Sequence, residues 1–453
     1  MEETEKVPLI NEIQNSFHST ADFKNRTFTI DEKALYLCYL ETMVDSEVIQ
    51  SHILKNLFLK KESNKIETSM LENFDVHSLE EGIQFIINGY IIVSDGLNIK
   101  AYSTTNKIER SVQESESESI SLGAHDGFVE SLTTNSTLIR KKLRSKELMV
   151  KTISIGKDYP VKLAIFYLRN LTPTKLIEET EKKIKELDSK LLIESVHLQQ
   201  VLEDYPSSPF PQVMRTERPD LTVRHLLKGK PAILLDNEPN ALLFPYNMYN
   251  FLQSSEDFNF RWLVGGFYYV LRMIAFWIAV ILPAFYIAVI QYHSNILPLS
   301  IFYTLKISTE NVPLPPLLEA LTMQIILELL KEAAIRLPKS IGSTIGTVGA
   351  IVIGTAIVQT NLISNAMVVV ISITALASFS LPSKEMSIIS RIMGIPLLFL
   401  ASLFGFIGIS FGMLMILSHI SEIKLMGYRY IENPGFTEIN FLKKRKGKTH
   451  DYE

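Results

Sequence analysis

Cysteine is nearly absent from this chain: Cys38 stands alone among 453 residues. That excludes an internal disulfide and any thiolate cluster. The nine histidines show no His-Glu-x-x-His or comparable ligand spacing, so neither a metal nor a cofactor site is indicated. The polar half holds no phosphate-cradling glycine loop, no Gly-x-Gly-x-x-Gly after a strand and no nucleophile elbow, which leaves an enzyme without a catalytic constellation. A formal net charge of −4 gives no global basic field, so nucleic acid is not an expected partner. The acidic start, Met1 to Pro8, lacks the apolar run of a secretion signal, and the long amino-terminal region is expected to stay in the cytoplasm.

What the chain has in excess is apolar sequence, 47% overall, concentrated after Leu263. Met273 to Ile290 carries no charge over roughly the length a bilayer core demands, and Pro283 inside it is tolerable in a membrane helix. Ile341 to Val358, Ala366 to Leu381 and Ile395 to Leu417 predict three further spans. Leu317 to Ile335 differs: it carries Glu319, Glu328, Lys331 and Glu332, and each ionisable group at bilayer depth costs about 2.5 to 3.5 kcal/mol on insertion scales.

Gln324, Glu328, Glu332 and Arg336 recur every fourth residue and stack into one polar stripe, to which Glu319 is added as a candidate. Two readings stay open. The stripe borders an aqueous, cation-favouring path, or the helix lies in the interface with Glu332 and Arg336 paired locally. Small residues at Gly342, Gly346, Ala350 and Gly354, and at Gly405, Gly408 and Gly412, predict close helix contacts, within one chain or between chains. Counting the charged helix as a span gives five crossings and sends the basic run Lys443 to Lys448 outside; counting it as re-entrant gives four and keeps that run in the cytoplasm against anionic lipid.

The polar half alternates strand-like and helix-like stretches. Tyr36 to Leu40 reads as a strand and Ser46 to Leu59 as a helix. Gln84 to Ile87 and Tyr90 to Val93 read as a hairpin about Asn88-Gly89. Glu114 to Ser119 is an acidic low-complexity loop. Leu148 to Ile155 and Val161 to Leu168 read as paired strands, Thr172-Pro173 opens a helix, and Ala232 to Leu235 pairs with Ala241 to Phe244. The expected fold class is multi-domain: a cytoplasmic α/β region in two subdomains, then an all-α polytopic membrane domain. The expected boundaries are a polar mobile tail over 1–30, a first subdomain over 31–205, a second with its connector over 206–258, a membrane domain of four to five helices over 259–420, and a basic tail over 421–453.

Several strings carry a resemblance. Leu122 to Asn135 with Gly127, Glu130 and Asn135, Arg140 to Arg144, Ser208 to Val213 with Pro211 and Gln212, and Thr216 to Asp220 with Glu217, Arg218, Pro219 and Asp220 resemble the A subunit of the GerA-type spore-germination receptors. So do Glu319-Ala320, Glu328 to Ala333, Arg336 to Pro338, Ile341-Gly342 and Thr374 to Phe379. The resemblance runs in register from Tyr36 to His419. It implies a spore inner-membrane protein with a transporter-like B subunit and a lipoprotein C subunit as partners, and self-assembly into a nutrient-gated ion channel. Two departures stand out: Gln324 occupies a position where the family often has Glu, and Gly427 to Tyr430 replaces a more apolar run.

Overall fold

The computed structural model describes residues 6–30, 33–54, 71–96, 98–105, 126–156, 160–187, 194–310, 312–336, 354–357 and 359–431. They form two compact units, one of residues 1–206 and 212–246, the other of residues 207–211 and 247–453. The acidic loop at 114–119, most of the expected span at 341–358 with Gly342, Gly346 and Ala350, and the basic run at 443–448 lie outside the described residues.

The expected mobile tail is instead structured. Lys6–Phe17 is a helix, α1, and Phe23–Ile30 a strand, β1. Ile10, Ile13 and Phe17 fall on one helical face and are fully buried, which anchors a stretch whose overall polarity hides its stripe. β1 pairs with β2 (Lys33–Leu40), and a five-stranded antiparallel sheet follows in the order β1-β2-β4-β5-β3, with β3 Asn73–Asp75, β4 Tyr90–Ser94 and β5 Ile99–Ser103. β2 is buried on both faces: Leu35, Leu37 and Tyr39 join one core, Cys38 and Leu40 the other. That is the two-residue alternation of a central strand.

Residues 84–87 are a second correction. They belong to a helix, α2 (Leu79–Ile87), and Asn88-Gly89 turns a helix into a strand rather than closing a hairpin. Ser78 starts it: its hydroxyl accepts from Glu81 N, and Glu81 Oε2 accepts from His77 N at 3.0 Å. A capped helix end outweighed the strand-like look of Phe85-Ile86-Ile87.

The second sheet runs β6-β7-β9-β10-β8. It takes β6 (Leu148–Ile155) and β7 (Val161–Leu168) from one side of the proline-rich stretch at 205–211, and β8 (Met214–Thr216), β9 (Ala232–Leu235) and β10 (Ala241–Leu243) from the other. The subdomain division expected near 205 therefore cuts through one sheet. Leu148, Phe166, Leu234 and Leu243 share its core with Leu138 and Ile139 of α3 (Leu132–Lys142) and Leu226 of α4 (Pro219–Leu227).

The two sheets are joined by a buried ion pair. Arg140 on α3 donates to both oxygens of Asp22, at 2.9 and 2.8 Å, and Thr20 and Thr42 donate to the same carboxylate. The backbone of 20–21 also bonds the edge of β6, Ala21 N donating to Val150 O at 2.8 Å. Burial raises the Asp22 carboxyl, but the Arg140 guanidinium and the two threonine hydroxyls outweigh it and hold it below its ordinary value.

In the second unit α5 (Trp262–Tyr292) and α8 (Lys384–Glu422) are the two helices long and apolar enough to cross a membrane among the described residues, with α6 (Pro316–Arg336) and α7 (Asn365–Phe379) beside them. α8 is a hairpin of two helices. Gly405 breaks it at φ 60°, ψ −136°, and a Cβ on Gly412 would strike Leu397 and Leu400. So 406–422 folds back along 384–404, and Gly408 and Gly412 serve contacts within one chain. Tyr292 caps the tip, its hydroxyl 2.7 Å from the Ser402 carbonyl, and the His293 ring lies 4.5 Å from that of Phe406.

The expected tail also folds at its start. Lys424–Leu425 and Tyr428–Arg429 pair about Met426-Gly427, both at positive φ. Tyr430 lies 6.2 Å from the Phe210 ring and its carbonyl accepts from Met248 N, while Ser208 Oγ meets His419 Nε2 at 2.9 Å.

Two outcomes follow. Arg140→Met strands a buried carboxylate and should cost about 3–5 kcal/mol in chemical denaturation. Because the folded Asp22 titrates below its unfolded value, the pair stabilises fully above about pH 4 and less as pH falls through the depressed range; Asp22→Asn should flatten that acid limb. Gly405→Ala adds a Cβ 3.0 Å from His293 Cε1 at a glycine-favouring φ and should cost about 1–3 kcal/mol, read as a lower melting temperature in detergent. Gly266→Ala, which meets nothing within 4 Å, is the neutral control.

Candidate functional site

The stripe on α6 divides into three environments. Glu319 leaves it: five residues at about 100° each put it about 140° around the helix from Gln324. It is 1% exposed and its Oε2 accepts from Ser364 N at 2.7 Å, at the N-terminus of α7. Ser364 Oγ caps Met367 N at 3.2 Å. A carboxylate against unsatisfied amide donors at the positive end of a helix is electrostatically answered, so Glu319 is a structural acid.

Gln324 is half-buried, and its Oε1 has no hydrogen-bond partner among the described residues. Glu328, Glu332 and Arg336 are exposed. Glu332 and Arg336 pair at i,i+4, Arg336 Nε donating at 2.8 Å. Glu328 pairs outside its own helix: Arg391 on α8 is bonded to it, and Arg391 Nη1 also donates to Ser378 Oγ on α7 at 3.2 Å and to Ser387 Oγ at 3.1 Å. Lys331 Nζ lies 3.8 Å from Glu328 and 4.0 Å above the Phe379 ring.

Sequence reasoning missed Arg391 as a site residue. Its signal was there: one cation inside Ile388 to Pro396, where an ionisable group in apolar surroundings demands a partner. Gly354 meets nothing within 4 Å.

The motif residues of the amino-terminal unit do not converge on a cleft. Gly127 is buried. Asn135 is fully buried and its side chain ties Val129, accepting from its N at 2.8 Å and donating to its O. The Glu130 carbonyl accepts from Asn237 N, and the Glu217 carbonyl from Phe128 N at 2.7 Å. Gln212 accepts from Asp204 N and donates to Tyr205 O at 3.0 Å, fixing the turn before it, while Pro211 is buried in the other unit. Arg218 grips Asp220 with two bonds, 3.0 and 2.8 Å, across Pro219, the first residue of α4. Burial raises the Asp220 carboxyl, yet Arg218 and Arg224 hold it below its ordinary value. With Arg140, these residues secure loops and the joint between sheets.

Comparison with known proteins points to one family through a family model and a curated relative. The model described as Bacillus/Clostridium GerA spore germination protein matches residues 11–444. Spore germination protein A1 of Bacillus subtilis (strain 168) is 34% identical over 423 residues, covering 92% of this chain and 88% of its own length. YfkQ of the same organism, described as an uncharacterized membrane protein, is 34% identical over 411 residues, covering 87% of this chain and 79% of its own. The crystal structure of the N-terminal domain of the A subunit of the Bacillus megaterium spore germinant receptor GerK3 covers 52% of this chain and 92% of its own at 23% identity, with a TM-score of 0.41. With a family model spanning nearly the whole sequence and relatives matched over most of their length, this chain belongs to the GerA spore germination protein family.

Proposed function

We propose that this chain is the A subunit of a nutrient germinant receptor of the spore inner membrane, and that copies of it assemble into a ring whose opening lets ions pass and starts germination. A transporter-like B subunit and a lipoprotein C subunit are the partners. The observation that carries the reading is the contrast on the surface of the helical unit. Trp262, Phe267, Leu403, Ile407 and Leu414 are turned outward and apolar, as a lipid-facing surface requires, whereas Glu328, Glu332 and Arg336 are also left exposed by their own chain. Charges at that depth are retained where they border water or another protein surface.

The hairpin in α8 bears on the topology. α5 and 384–404 run parallel, since Gly394 lies against Ala279 and Val280 and the Tyr292 hydroxyl reaches Ser402. α6 and α7 both run from the Glu319–Ser364 contact towards Arg391, which Glu328 and Ser378 meet. On this reading α5 leaves, α6 and α7 both return, and the hairpin leaves and returns. With these five crossings among the described residues, Arg336, Lys384 and Arg429 share the cytoplasmic side, in keeping with the positive-inside tendency.

Two measurements test this. Glu332→Gln should change ion release from germinating spores severalfold while receptor abundance stays normal; unchanged release at normal abundance sinks the ion path. With Cys38 replaced by Ala, Arg429→Cys should resist an impermeant thiol reagent in sealed right-side-out vesicles and react after permeabilisation, as Glu41→Cys does. Labelling of Arg429→Cys alone in sealed vesicles would refute this arrangement.

A further inference from the structure

We propose that Arg391 is the specificity-determining residue of the ion path, setting its charge selectivity by neutralising Glu328; the inference rests on the conducting role of the α6 face proposed above. Between Glu328 and Arg391 the sequence holds five cations, Lys331, Arg336, Lys339, Lys384 and Arg391, against three carboxylates, Glu328, Glu332 and Glu385. No Asp or Glu occurs between Glu332 and Glu385, so residues 337–353 bring no further carboxylate to the cluster.

The geometry fixes which partner faces outward. The Arg391 side chain is 13% exposed and that of Glu328 48%, so the guanidinium sits behind the carboxylate. Ser378 and Ser387 hold one arm of the guanidinium from two helices, which keeps it in place independently of Glu328. Glu332 is cancelled by Arg336, and Glu328 by Arg391. Lys331, with its ammonium above Phe379 and 3.8 Å from the Glu328 that Arg391 already neutralises, leaves one positive charge in excess. A stripe that reads as cation-favouring from α6 alone thus carries a net charge of about +1 over Glu328, Lys331, Glu332, Arg336 and Arg391 once α8 is counted, and rings of charge at close quarters set which ions enter.

The test is the reversal potential of the receptor, purified with its partner subunits and reconstituted in vesicles under a potassium chloride gradient. Arg391→Gln removes one positive charge beside an exposed carboxylate and should raise the potassium-to-chloride permeability ratio about tenfold at low ionic strength, less in concentrated salt. Arg391→Lys should keep the ratio of the unaltered receptor. Glu328→Gln should move it the other way, and Glu328→Gln with Arg391→Gln should return it, because the charge lost from one partner is matched by the other. A conducting receptor whose ratio is unmoved by Arg391→Gln overturns the proposal and leaves the ion path standing. A ratio that Arg391→Lys shifts as far as Arg391→Gln, or that the double variant fails to restore, also overturns it, since a structural role alone would do this. An unaltered receptor that passes no ions removes the path and this proposal together.

Discussion

A carboxylate taken out of water needs either an opposite charge or a set of aligned donors, and three of this protein's acids meet that constraint in three different ways. Asp22 is answered by Arg140 and two threonine hydroxyls between two sheets. Glu319 is answered by the amide end of α7. Glu328 is answered by Arg391. The first two are sealed from solvent, so their partners cannot exchange without leaving a bare charge in an apolar surround. The third keeps about half of its carboxylate side chain open to solvent. The same electrostatic demand therefore produces a fixed joint, a fixed cap and an exposed pair, according to how much water each retains.

The parts of the fold that were legible were those whose local pattern has no competitor. Leu148 to Ile155 and Val161 to Leu168 are strand-like runs close together in sequence, and they pair over their full length. Ala232 to Leu243 behaves likewise. Where two patterns compete, the apolar run misleads. Phe85-Ile86-Ile87 has strand composition, but Ser78 and Glu81 nucleate a helix seven residues earlier, and a started helix propagates at little further cost. Residues 1–30 mislead in the opposite sense, since Ile10, Ile13 and Phe17 are three apolar residues among polar ones and only their spacing shows that they share a face.

The break at Gly405 was hidden for a different reason. A turn in water is marked by polar residues because the freed carbonyls must be solvated. Inside an apolar bundle that work falls to a neighbour, here the hydroxyl of Tyr292 at the Ser402 carbonyl, so Ile395 to Leu417 remains apolar across a reversal of direction. The stripe on α6 was legible because a four-residue period is local. Its charge balance was not, because Arg391 is 63 positions from Glu328 and no periodicity within α6 reports it.

The small residues sharpen what an assembly of copies can use. Gly408 and Gly412 lie against Leu397 and Leu400 of the same hairpin, and a Cβ on Gly394 would lie 3.4 Å from the Val280 carbonyl of α5. Those close approaches are already occupied, so they cannot also bring two copies together. On α6 the charged stripe is flanked by exposed Leu318, Ile325 and Leu329. A helix that turns Glu328 and Glu332 to water within a ring must give its neighbouring copy the adjacent flank, and on α6 that flank is this aliphatic ridge. In the proposed ring, the exposed apolar residues beside the stripe and the exposed charges within it would be two requirements of one arrangement: packing against protein on one side of α6, and hydration on the other.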